Sequence, residues 1–226
     1  LALSRDGLLA GLLAAVILGG PAAGAADPEA MRLAATKAEW KVLWNDHGRV
    51  SFDPVEGVLM RTAKAAGPKE TYSALLLAKE TLKRPLRNFS VTLTITNEAQ
   101  LRAGKPNEWE VFWLFFNYNT AGRNLKKTNF LLIQTHTGIQ LGKAFKKFGE
   151  TYLAKYRRPS VRVGQTYRLK VTKTGQHVEV QMDGKTVLLF DGGLLSRRLY
   201  DVPGSIGLYC EDSQVRVRDV SIQPLP

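Results

Sequence analysis

Gln134 and His136 lie two residues apart in a stretch, Asn129 to His136, that reads as a strand, so both are expected on one face. An imidazole beside a carboxamide can move a proton and hold a hydroxyl or carboxylate in place. The segment Trp109 to Tyr118 adds six aromatics: Trp109, Phe112, Trp113, Phe115, Phe116 and Tyr118. Alternation assigns Glu110, Phe112, Leu114, Phe116 and Tyr118 to one face, and Trp109, Val111, Trp113, Phe115 and Asn117 to the other. A flat ring flanked by hydrogen-bonding groups suits a pyranose, whose faces are apolar and whose edges are polar. Trp113, Asn117 and Tyr118 are therefore the candidate ligand contacts here. A central strand buried on both faces accounts for the same aromatic run.

Acid–base chemistry has three candidate carriers, His136, Tyr152 and Glu110. Hydrolysis of a glycosidic bond normally requires two carboxylates at a defined separation across it. Glu108 and Glu110 share one face of one strand, which is no such pair, so Glu110 reads as a ligand-bonding or structural carboxylate. Eliminative cleavage of a uronate would need a base, His136 or Tyr152, and a cation to neutralise the carboxylate, Lys143 or Arg157. Gln134, His136, Lys143 and Arg157 thus join Trp113, Asn117 and Tyr118 as the expected ligand-binding set.

The 226 residues carry 32 Lys and Arg against 20 Asp and Glu, a formal net charge of +12. Between Arg123 and Lys173 lie thirteen basic residues and one acid, Glu150, so this stretch alone accounts for the whole excess. Interleaved with the cations are Phe145, Phe148, Tyr152 and Tyr156. A regional excess of this kind points to an anionic partner, with an acidic polysaccharide the expected one; a solvated basic face is the alternative. No nucleic-acid-binding motif accompanies it.

These residues need a scaffold, and the dominant periodicity is two. Phe89, Val91, Leu93 and Ile95 alternate with Ser90, Thr92, Thr94 and Thr96. Tyr167 to Thr172 and Val178 to Met182 behave likewise, and Asp183-Gly184 is a two-residue hairpin turn before Lys185 to Phe190. Further strands are expected at Trp40–Trp44, Gly57–Thr62, Ser73–Leu77, Trp109–Tyr118, Ile139–Leu141, Ile206–Cys210 and Val215–Ile222. Many strands with no strand–helix alternation give an all-β fold: a two-sheet antiparallel β-sandwich over residues 40–226. The segment from Lys143 to Arg162 is read as a long basic insert.

The apolar run Leu8 to Leu18, followed by Ala23-Gly24-Ala25, reads as a signal peptide over residues 1–25 and is shorter than a membrane-spanning helix. Residues 26–39 are expected as a tail or short helix, and the mature protein as periplasmic or extracellular. The single cysteine, Cys210, rules out an intramolecular disulfide and any multi-cysteine metal site. No cofactor motif is present. Asp46 or Asp219 could join a structural calcium site, although Asp-rich loops are missing. Nothing in the sequence sets the oligomeric state.

Three stretches carry a family resemblance: Trp109-Glu110-Val111-Phe112-Trp113 running into Asn117-Tyr118; Asn129 through Gln134-Thr135-His136 to Gly142-Lys143; and Gly204-Ser205-Ile206-Gly207-Leu208-Tyr209 before Val215 to Val220. With the Asp183-Gly184 hairpin they resemble the concanavalin A-like (LamG-like) jelly rolls of exported bacterial proteins, including a group labelled 3-keto-disaccharide hydrolase. The resemblance spans about Trp40 to Gln223. It implies a concave face that meets sugars, and leaves open a glycan-binding domain, a glycoside hydrolase-like enzyme or lyase, or an envelope domain held to anionic polymers by charge. The E-x-D-x-x-E strand of family 16 glucanases is absent. Alginate lyases also place Gln-x-His on a jelly-roll strand, but their accompanying Tyr and Arg motifs are missing here.

Overall fold

The computed structural model describes residues 29–67, 69–119, 127–144, 149–193 and 198–226. The segment read as a signal peptide lies outside them. Fifteen strands and one short helix follow in order: β1 Met31–Leu33, β2 Trp40–Asn45, β3 Arg49–Asp53, β4 Gly57–Arg61, β5 Ser73–Ala78, α1 Lys79–Lys83, β6 Phe89–Gln100, β7 Phe112–Tyr118, β8 Thr128–Ile133, β9 Ile139–Ala144, β10 Glu150–Tyr156, β11 Thr166–Thr174, β12 His177–Met182, β13 Lys185–Asp191, β14 Ser205–Glu211 and β15 Ser213–Pro224.

They form two antiparallel sheets. One has the order β13-β12-β11-β6-β15-β4-β3, with β1 also on β15; the other is β10-β9-β8-β7-β14-β5-β2. The apolar phases of β6, β11, β12 and β15 face those of β5, β7, β8, β9 and β14, and the two sets close the inter-sheet core. Phe89 of β6 meets Phe116 of β7 edge-on at 5.6 Å. Among the described residues no helix is long and apolar enough to cross a membrane.

The sheets differ on their outer faces. That of the eight-stranded sheet carries Thr92, Thr94, Arg168 and Lys170, as alternation requires. That of the seven-stranded sheet carries a second apolar cluster, in which Leu75, Leu77, Trp113, Phe115, Phe130, Leu132 and Tyr209 are buried. Its strands β5, β7 and β8 are accordingly buried at every position. Cross-strand register arranges this face in two rows. One runs Tyr152, Gly142, Phe130, Phe115, Gly207, Leu77, and the next runs Lys155, Gln140, Leu132, Trp113, Tyr209, Leu75, Trp44. A Cβ on Gly142 would lie 2.3 Å from the Phe130 ring, so the ring occupies the space a side chain would need.

Four local readings change. The aromatic strand begins at Phe112, because Trp109 sits in a turn before it. The strand expected through His136 ends at Ile133. The presumed insert contains β10, the edge strand of the seven-stranded sheet, while its residues 145–148 lie outside the described residues. In residues 26–39, Met31–Leu33 forms a strand paired to Val220–Ile222.

Candidate functional site

At the β8-β9-β10 edge, the outer face of the seven-stranded sheet opens into a groove of about 840 Å³. Two of its walls are exposed aromatics, Trp109 and Tyr152, at 42% and 40% exposure; Tyr156 borders it from the inward phase of β10, opposite Ile139, with its hydroxyl donating to the Leu189 carbonyl of β13 at 3.2 Å. Polar groups stand between them: Gln134, Gln140, His136 and Arg157. A second hollow of about 770 Å³ shares His136 and Arg157 and continues toward Arg158 and Arg162.

Each side chain reaches the groove for a local reason. In β10 a bulge sets Leu153 and Ala154 against the position of Leu141, so Tyr152 pairs with Gly142 and Lys155 with Gln140. Tyr152 and Lys155 therefore share the outer face though three residues apart, and the Lys155 ammonium lies 3.8 Å from the Tyr152 ring centroid. The Tyr152 hydroxyl donates to Glu150 Oε2 at 3.0 Å, and the ring meets Phe130 edge-on at 5.9 Å. Burial, reinforced by the Glu150 carboxylate, pushes the Tyr152 phenol above its ordinary range, so it stays a neutral hydroxyl.

Gln134 and His136 both line the groove, from the β8–β9 turn instead of from a strand. Gly138 closes that turn at φ 91°, where a Cβ would meet the Tyr156 carbonyl oxygen at 2.0 Å, so the turn packs directly on β10. Gln134 is nearly buried, and its Oε1 accepts from Thr137 Oγ1 and, at 3.1 Å, from Gln140 Nε2. Gln140 Oε1 is buried with no hydrogen-bond partner. His136 is exposed, with Nδ1 2.9 Å from Thr135 Oγ1. Trp109 is brought alongside because Thr135 N donates to the Glu108 carbonyl at 3.2 Å.

Other expected site residues lie elsewhere. Trp113 is 4% exposed, beneath the outer face, and its Nε1 donates to the Trp109 carbonyl at 2.8 Å. Asn117 is buried at φ 52°, and its Nδ2 donates to the carbonyls of Leu86 at 3.1 Å and Val202 at 2.8 Å. Its amide is committed to joining loops. The same left-handed residue breaks the alternation, so Tyr118 packs with Trp113 and Phe115 instead of with Phe116. Lys143 sits at the far end of β9, donating to the Arg198 carbonyl at 2.6 Å and lying 5.4 Å from the Tyr200 ring centroid. Glu110 is fully buried in ion pairs: Arg102 bonds its Oε1 and Asp212 Oδ2, and Asn107 Nδ2 adds a bond to Oε1 at 2.7 Å. Its place is structural, holding the loop that presents Trp109.

The basic stretch also divides. Lys155, Arg157, Arg158 and Arg162 surround the two hollows, whereas Arg168 and Lys170 lie on the opposite sheet. Lys173 is fully buried, bonded to Asp201 Oδ1 at 2.8 Å and the Arg87 carbonyl at 2.9 Å, and burial lowers its pKa.

One acid that the sequence did not single out is Glu211, two residues beyond Tyr209 on the same outer face. The Tyr209 hydroxyl donates to it, yet burial pushes its carboxyl up to about 7, with the charges of Glu150, Asp212 and Glu110 acting in the same direction. Among the described residues no three His, Cys, Asp or Glu side chains are grouped to hold a metal. Asp46 accepts from Ser73 on one sheet, and Asp219 from Thr94 on the other.

Two unclosed antiparallel sheets in this order define a concanavalin A-like jelly roll. The carbohydrate-binding module CBM66 from Bacillus subtilis superposes with a TM-score of 0.58 at 16% identity, covering 82% of this chain and 95% of that one. The exoplasmic/lumenal domain of VIP36, in a Ca2+/Man3GlcNAc-bound form, gives 0.54 at 11% identity over 86% and 89%. The Crh5 transglycosylase in complex with NAG gives 0.54 at 12% over 87% and 84%. At such identities the likeness is one of fold. No protein-family model matches the sequence, and no curated relative matches it.

Proposed function

We propose that this protein is a glycan-binding domain that receives an anionic polysaccharide in the groove between Trp109 and Tyr152. The observation that carries the reading is the grouping itself: two exposed aromatic rings, Trp109 and Tyr152, on one groove that also presents Gln134, Gln140, His136 and Arg157. Rings stack on the apolar faces of sugars while amides and the guanidinium take hydroxyls and carboxylates. The sugar-bound proteins that share this fold add support at the level of class. Calorimetry against neutral and uronic oligosaccharides tests it. Binding that falls about five- to tenfold in Trp109→Ala is expected, because one stacked ring contributes about 1–1.4 kcal/mol. Unchanged affinity in that variant would refute the site.

The apolar run Leu8–Leu18 and the Ala23-Gly24-Ala25 site support export to the periplasm or beyond, with the β-sandwich domain as the mature unit. N-terminal sequencing of the cell-envelope or medium fraction is expected to begin near Ala26; a retained leader would oppose export.

A further inference from the structure

The Tyr152 ring is offered to the groove with a cation already on it. Lys155 Nζ lies 3.8 Å from its centroid, a full cation–π contact, and no carboxylate within salt-bridge distance pairs with Lys155 among the described residues. The contact exists because the β10 bulge puts the two side chains on one face. Directly across the strand pair from Lys155 is Gln140, whose buried Oε1 has no donor. Both residues line the groove, and the Gln140 amide is turned inward, its Nε2 donating to Gln134 Oε1 at 3.1 Å.

Resting on the glycan-binding reading above, we propose that Lys155 is the element that selects carboxylated sugars over neutral ones. In the free protein its ammonium occupies the ring face on which a sugar would stack. A neutral pyranose must displace the cation into water and gains nothing for it. A uronate offers its carboxylate, so the ammonium leaves the ring for a charge-assisted hydrogen bond, and the vacated ring receives the sugar face. Arg157, on the same groove, can bind a second carboxylate along the chain.

The test uses pairs that differ only at C6: cellohexaose with its fully C6-oxidised hexamer, and β-1,4-mannohexaose with hexamannuronate, titrated calorimetrically into the wild type, Lys155→Ala and Tyr152→Ala. For a uronic hexamer bound by the wild type, Lys155→Ala is expected to weaken binding about tenfold and strengthen the neutral partner about two- to fivefold. Tyr152→Ala is expected to weaken both members. Thermal melting controls for folding, and Lys155, exposed on an edge strand, should leave it unchanged. Equal losses for acidic and neutral members in Lys155→Ala, or no change in either, would overturn the selection role and leave the binding site standing. If the wild type bound no member of either pair, both the selection role and the glycan reading would fall.

Discussion

Trp109 and Trp113 are four residues apart, and only one of them can meet a ligand. Trp109 is on the groove; Trp113 is under the face with its indole N–H satisfied by the backbone. Trp109→Ala is therefore expected to cost affinity with little change in melting temperature. Trp113→Ala should cost about 3–5 kcal/mol of stability, the usual penalty for emptying a buried aromatic site. Paired calorimetry and thermal melts check both. Glu211 supplies a prediction of a different kind. Its folded-state pKa, about 7, lies above the ordinary 4.5, so the native state holds the proton more tightly than the unfolded chain. Its stabilising contribution is complete below about 4.5 and is lost as pH rises through about 7. Melting temperatures across that window should fall more steeply in the wild type than in Glu211→Gln; parallel curves would contradict it. Alternation alone could not reveal either residue's role. It assigns Trp109 and Trp113 to one face and cannot say where the strand begins, and Glu211 lies between Cys210 and a left-handed Asp212 at a strand end with no motif around it.

At the scale of elements, the groove depends on β10 and on the β8–β9 turn. The alternating strands β6, β11 and β12 were legible because one of their faces is wet. β10 was not, because a bulge interrupts its period and its edge position leaves most residues exposed. Asn117 hides a register change in the same way, so Tyr118 could not be placed by counting. The contact between Phe130 and Gly142 is what settles Tyr152 against the sheet. Gly142→Ala is expected to drive the Phe130 ring aside, lower the melting temperature, and weaken glycan binding through Tyr152 even though residue 142 touches no ligand. Normal affinity in a folded Gly142→Ala protein would show that the Tyr152 position does not depend on this packing.

On the whole molecule, a charge excess that is continuous in sequence is partitioned by the fold. The sandwich sends Arg168 and Lys170 to the far sheet, buries Lys173, and leaves Lys155, Arg157, Arg158 and Arg162 around the hollows. Composition could therefore indicate an anionic partner and the approximate region, but not the face. If those four cations attract the ligand, affinity for a uronic oligomer should drop as salt rises from about 0.05 M to about 0.5 M, and its residual should still depend on Trp109. Affinity that vanishes with salt and ignores Trp109→Ala would identify a charge-held surface instead of a sugar site.

The most direct measurement is a backbone-amide NMR titration of the protein with an oligouronate. Shifts concentrated at Gln134, His136, Gln140, Tyr152, Lys155 and Arg157, around the described groove, are expected. Shifts confined to the opposite sheet around Thr92, Arg168 and Lys170 would contradict the assignment of the groove as the glycan site.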